Sequence, residues 1–177
     1  MSASTHSSSH PSSLVASWLN PVPWQLFGTF ETPWRASPET LSSKFTGLIR
    51  SLEESMRTRI CTVSTIENKS KHGERVPNHI HAALASLRPI PQLLVEETWL
   101  QGVGRMHSMT NSNLAEVVPF KSPMLEYVLK QISDQDCEWD VSNLQYFNSN
   151  VPSVPGTNHR SLQMARRWLK QVSMAAA

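Results

Sequence analysis

The 177-residue sequence predicts an α+β domain with a central antiparallel sheet of about four to five strands and helices packed on it. Two apolar stripes of helical period each open on a Ser-Pro pair, Ser37-Pro38 and Ser122-Pro123. Between them lie β-branched and alternating runs joined by turn-sized links. Helices and strands do not follow the regular β-α alternation that a parallel sheet demands. A chain of this length supplies one ordinary domain and enough burial for a real core.

Seven serines among the first thirteen residues leave nothing to bury, so residues 1–20 are expected to form a disordered Ser-rich arm. The folded domain is expected over 21–147. Its first strand is Leu26-Phe-Gly-Thr-Phe30, alternating and apolar on both sides. Ser37 supplies a capping hydroxyl, Pro38 the first helical position and Glu39 an acid in the first turn. Leu41, Phe45, Leu48, Leu52 and Met56 then mark the buried face of a helix running to about Arg57. Ile60 to Lys69 and Pro77 to Leu84 read as two strands of a hairpin, with Lys71-His72-Gly73-Glu74 as the turn. A short helix follows from Pro91 to about Gln101, stopped by Gly102. Val103 to Met109 alternates and is expected to add a strand. Ser122 opens a helix through about Ile132, and residues 148–177 read as a Pro/Asn-rich linker and a basic helix.

Charge is balanced in total but not along the chain. Residues 31–140 hold 12 basic and 14 acidic residues, whereas 141–177 hold four basic residues and no acid. That pattern excludes a uniformly basic polyanion binder and allows a local one, with Arg166, Arg167 and Lys170 as the expected phosphate contacts. Two cysteines cannot make a disulfide framework or a four-thiolate zinc site. There is no apolar run long enough to cross a membrane, no secretory leader pattern and no phosphate-binding G-x-x-x-x-G-K-[ST] loop, so no nucleotide cofactor is expected.

His79-Ile80-His81 sets two imidazoles on one face of a strand, because side chains at i and i+2 point the same way. A hairpin centred on Gly73 places Glu67 opposite His79. A bulge would shift that register and bring Glu74 or His72 forward instead. Two histidines and one carboxylate with open positions suit a catalytic divalent ion better than a closed structural zinc. On the helix that opens at Ser122, Leu125, Val128, Leu129 and Ile132 form the apolar stripe. Tyr127 lies on the far side of the helix from it, with Lys130 one turn on and facing the same way.

This combination resembles the HUH endonucleases, named for His-hydrophobic-His, and in particular the single-tyrosine initiators of rolling-circle replication. The matching segments are Leu26 to Phe30, His79-Ile-His81 and Tyr127-Val-Leu-Lys130, in that order, within residues 24–135. The resemblance implies a Rep-nuclease-like fold and sequence-directed nicking and joining of single-stranded DNA. It implies Mg²⁺ or Mn²⁺ held by Glu67, His79 and His81, Tyr127 as the nucleophile forming a 5′-phosphotyrosyl link, and Lys130 orienting the phenolate or phosphate. Single-stranded DNA or an origin hairpin would be the substrate, with a host helicase and polymerase as partners and a cytoplasmic setting, or wherever the replicon resides. Two other readings stand beside it: a single-strand transposase of the same chemistry, and a DNA-binding module that keeps the fold without catalysis.

Overall fold

The computed structural model describes residues 19–69, 74–104, 114–132 and 138–147, with backbone alone for 69 and 129–132. Five strands form one antiparallel sheet: β1 (Leu26–Phe30), β2 (Ile60–Lys69), β3 (Arg75–Ser86), β4 (Ala115–Pro119) and β5 (Glu138–Ser142). Their spatial order is β4-β1-β3-β2-β5. Three helices accompany them among the described residues: α1 (Pro38–Met56), α2 (Gln92–Gly102) and α3 (Ser122–Ile132).

Helix α1 forms as its sequence dictates. The Ser37 side chain accepts a hydrogen bond from the Thr40 amide, satisfying one of the donors a helix start leaves open. Arg57 ends the helix in a left-handed conformation, φ 50°. Leu41, Phe45, Leu48, Ile49 and Leu52 are buried against one face of the sheet, together with Leu26, Phe30, Ile60, Ile80, Leu84 and Val117. Trp99 of α2 joins that core and donates from Nε1 to the Glu31 carbonyl, which removes the cost of burying its one polar atom. On β1, Gly28 is required by contact: a Cβ there would stand 2.5 Å from Cζ of Phe30, whose ring folds back over it.

The opposite face of the sheet carries a second core. Cys61, Val63, Ala83 and Ala85 pack there with Leu125 and Val128 of α3, with Leu144, and with Leu19 and Val22. Leu19 is fully buried, and its carbonyl accepts a hydrogen bond from Trp24 Nε1. Leu19 therefore packs in this core, although it lies inside the span that the serine-rich composition assigns to the arm. The central strands β2 and β3 are covered on both faces, which is why seven consecutive residues of β3, from Ile80 to Ser86, are buried.

The strand expected at Val103 to Met109 does not begin at Val103 or Gly104. Val103 is a buried residue closing α2, residues 105–109 lie outside the described residues, and the strand beside β1 is Ala115–Pro119. That strand is five residues long and ends at a proline. The linker and basic helix expected over 148–177 lie outside the described residues. No helix among the described residues is long and apolar enough to cross a membrane.

Candidate metal centre

The β2–β3 ladder pairs Ile60 with Ser86 and continues without a break to Glu67 opposite His79; the register shifts only beyond that pair. His81 lies two residues further along β3, on the same face, opposite Thr65 of β2 and Thr29 of β1. These pairings bring three donors together on the face that α3 covers. Glu67 Oε2 stands 4.0 Å from His79 Nε2 and 3.9 Å from His81 Nε2, and all three ligand atoms lie within 4.8 Å of one another. Separations of 3.9–4.0 Å are too long for hydrogen bonds. They are close to what donors sharing one ion at about 2.1 Å each can span. Glu67, His79 and His81 are thus a group that could hold a metal ion. Of the alternative ligands, Glu74 is exposed and outside the group, and His72 lies outside the described residues.

The tautomers suit that role. His79 Nδ1 is 3.0 Å from the Pro77 carbonyl, which can only accept, so Nδ1 carries a proton and Nε2 is the nitrogen turned to Glu67. His81 Nδ1 is 3.1 Å from Thr29 Oγ1; donation to that hydroxyl likewise frees the Nε2 lone pair. His81 Nε2 is buried with no hydrogen-bond partner. Burial first, and then the charge of neighbouring His79, push the His81 pKa down to about 4. The ring is therefore neutral at neutral pH, the form that ligates metals. A buried neutral imidazole with an unpartnered lone pair, beside a buried carboxylate, fits a divalent cation.

Tyr127 borders this group. Its ring stands edge-on to His81, centroids 5.0 Å apart at 89°. Phe27 stacks on His81 at 5.8 Å and meets the tyrosine edge at 6.4 Å, so three aromatic rings fix one another. On the same helix, Leu125 and Val128 are buried while Tyr127 remains 42% exposed, the division that the apolar stripe predicts. Burial first and then the Glu67 charge raise its pKa above the ordinary value, keeping the phenol protonated at neutral pH. No family model, curated protein or solved structure matches the chain.

Lys130 lies on α3 one turn beyond Tyr127, and its side chain is outside the described residues, as are Arg166, Arg167 and Lys170. Tyr146 is half exposed in a single 3₁₀ turn, Leu144–Tyr146, after β5. Sequence reasoning missed Thr29, Thr65 and Phe27 as neighbours of the centre. Thr65 follows from the hairpin register once that is taken to His81; Thr29 and Phe27 need the β1–β3 register, which no local signal supplies.

Proposed function

We propose that this protein nicks and rejoins single-stranded DNA, with Tyr127 as nucleophile and a Mg²⁺ or Mn²⁺ ion held by Glu67, His79 and His81. The observation that carries the proposal is the placement of a half-exposed tyrosine edge-on to His81, off the core of its own helix. A structural tyrosine would share the apolar stripe of Leu125 and Val128; this one is turned to the three ligating side chains instead. The likeness of the His-Ile-His and Tyr-x-x-Lys segments to HUH nucleases supports the same chemistry.

When bound, a divalent cation supplies Lewis-acid polarisation of a phosphate oxygen and positive charge that offsets Glu67. The protein's own groups do the rest. Nδ1 of His79 and of His81 is engaged by the Pro77 carbonyl and the Thr29 hydroxyl, which turns Nε2 of each ring toward Glu67, and burial keeps His81 neutral. Phe27 holds the His81 ring from one side and Tyr127 from its edge. Tyr127 Oη attacks phosphorus in line as its proton passes to water, which returns one to the leaving group. A phosphotyrosyl bond forms, the bond from phosphorus to the 3′ oxygen breaks, and the leaving oxygen takes a proton to become a free 3′-OH. The covalent link conserves the phosphodiester energy, so rejoining needs no nucleotide triphosphate. The basic charge of residues 141–177 supports a phosphate-contacting role for Arg166, Arg167 and Lys170.

The test is a denaturing gel of the protein with labelled random-sequence oligonucleotides and Mn²⁺. The parent and Tyr146→Phe are expected to give a shifted covalent band. Tyr127→Phe, which keeps the ring and its contacts, is expected to give none. An adduct from Tyr127→Phe would reassign the nucleophile. No adduct from the parent with any divalent ion, together with retained DNA binding, would establish the non-catalytic binding module instead.

A further inference from the structure

Thr65 of β2 faces His81 across one ladder and Trp139 of β5 across the other. Strand alternation sets it on the same face as Glu67, two residues on. The residue is fully buried, and its Oγ1 has no hydrogen-bond partner. A buried hydroxyl without a partner destabilises a fold, and a valine of nearly the same shape would carry no such cost. Its ladder partner His81 carries a second buried atom lacking a partner, Nε2. One is a lone pair suited to an ion and the other a hydroxyl suited to water, and they meet in one register row of the sheet.

The donor set alone does not favour Mg²⁺ or Mn²⁺. Two imidazoles and a carboxylate bind zinc more tightly than manganese on raw affinity, so a site that uses the harder ion needs a further device. We propose that Thr65 is that device, a specificity-determining residue that selects a hydrated, oxygen-preferring divalent cation over zinc. The inference rests on the metal reading above. Mg²⁺ and Mn²⁺ prefer six-coordinate shells and retain several waters beside three protein ligands. Zinc is satisfied by four donors, three of them already supplied here. A water in the shell of the larger coordination number donates to Thr65 Oγ1, because its own lone pair is turned to the ion. A tetrahedral ion brings no such water to the sheet floor.

The experiment is calorimetric titration of the full chain with Mn²⁺ and, separately, Zn²⁺, with thermal melts in chelator as the second readout. Thr65→Val is expected to weaken Mn²⁺ binding by about tenfold or more, the usual effect of losing a group that supports a metal ligand shell. Its Zn²⁺ affinity is expected to stay at the parental value, and its metal-free melting temperature to equal or exceed the parent's. Thr65→Ser, which keeps the hydroxyl, is expected to retain Mn²⁺ binding. Parental Mn²⁺ affinity in Thr65→Val overturns the inference, as does equal loss of both ions with a lowered metal-free melt, which would mark a packing role. His81→Ala separates the two levels. If His81→Ala loses Mn²⁺ and Thr65→Val does not, the selectivity role alone fails. If the parent and His81→Ala titrate alike, the metal reading fails and takes this inference with it.

Discussion

Acidifying the metal-free protein should cost it stability through one identified side chain. His81 has an ordinary pKa near 6.5 in the unfolded chain and about 4 in the folded one. Between those values the unfolded state binds the extra proton, so stability is full above about 6.5 and falls as pH drops toward about 4, where the slope ends. Each pKa unit corresponds to about 1.4 kcal/mol, so the interval amounts to about 3 kcal/mol. The group is 7% exposed, so solvent screening removes little of this. Against a typical domain stability of about 5–15 kcal/mol the loss is large. The assay is urea unfolding followed by tryptophan fluorescence in chelator, from pH 7.5 to 4, on the parent and His81→Gln. Their difference isolates His81 from the other groups that titrate in acid. It is expected to be constant above about pH 6.5 and to shrink by about 3 kcal/mol on the way to pH 4. A difference that stays flat over the whole range would refute the claim that His81 is buried as the neutral ring.

Gly28→Ala should destabilise the fold by about 1–3 kcal/mol. The new Cβ meets Phe30, whose ring is held between Phe45 and Trp99 at 5.5 and 5.2 Å, so it has nowhere to swing; an unchanged urea midpoint would contradict this. Asp140→Asn should raise the melting temperature at pH 7. Burial lifts the Asp140 pKa against an opposing backbone hydrogen bond at Val141, so its contribution is full below the ordinary aspartate range and lost as pH rises through the folded value. The advantage of the asparagine should vanish in acid, a slope opposite to that of His81, and a pH-independent difference would count against it.

Legibility in the sequence followed the range of the interaction. Glu67 opposite His79 could be read because a hairpin fixes register from its own turn, and α1 because capping and periodicity are local to Ser37–Met56. β4 and β5 were not placed because each is a five-residue edge strand with charged or proline residues among its apolar ones. Edge strands face water on one side, and that dilutes the alternation which marks a central strand. Leu19 was hidden by composition, since one buried leucine does not offset a serine-rich average. Thr29 beside His81 depends on a pairing across 52 residues, where no turn carries the information.

The irregularity in the β2–β3 ladder falls between Glu67 and Lys69, just outside the last matched pair that carries ligands. A bulge absorbs a change in strand length locally, so residues added or lost beyond that point need not propagate inward. The hairpin can therefore lengthen, shorten or change composition beyond the Lys69–Arg75 pair while Glu67 and His79 keep facing each other. The anchoring chemistry and the outer loop are decoupled in evolutionary terms. Descendants of this chain could acquire new contacts at the tip of the hairpin without rebuilding the three-donor group at its base.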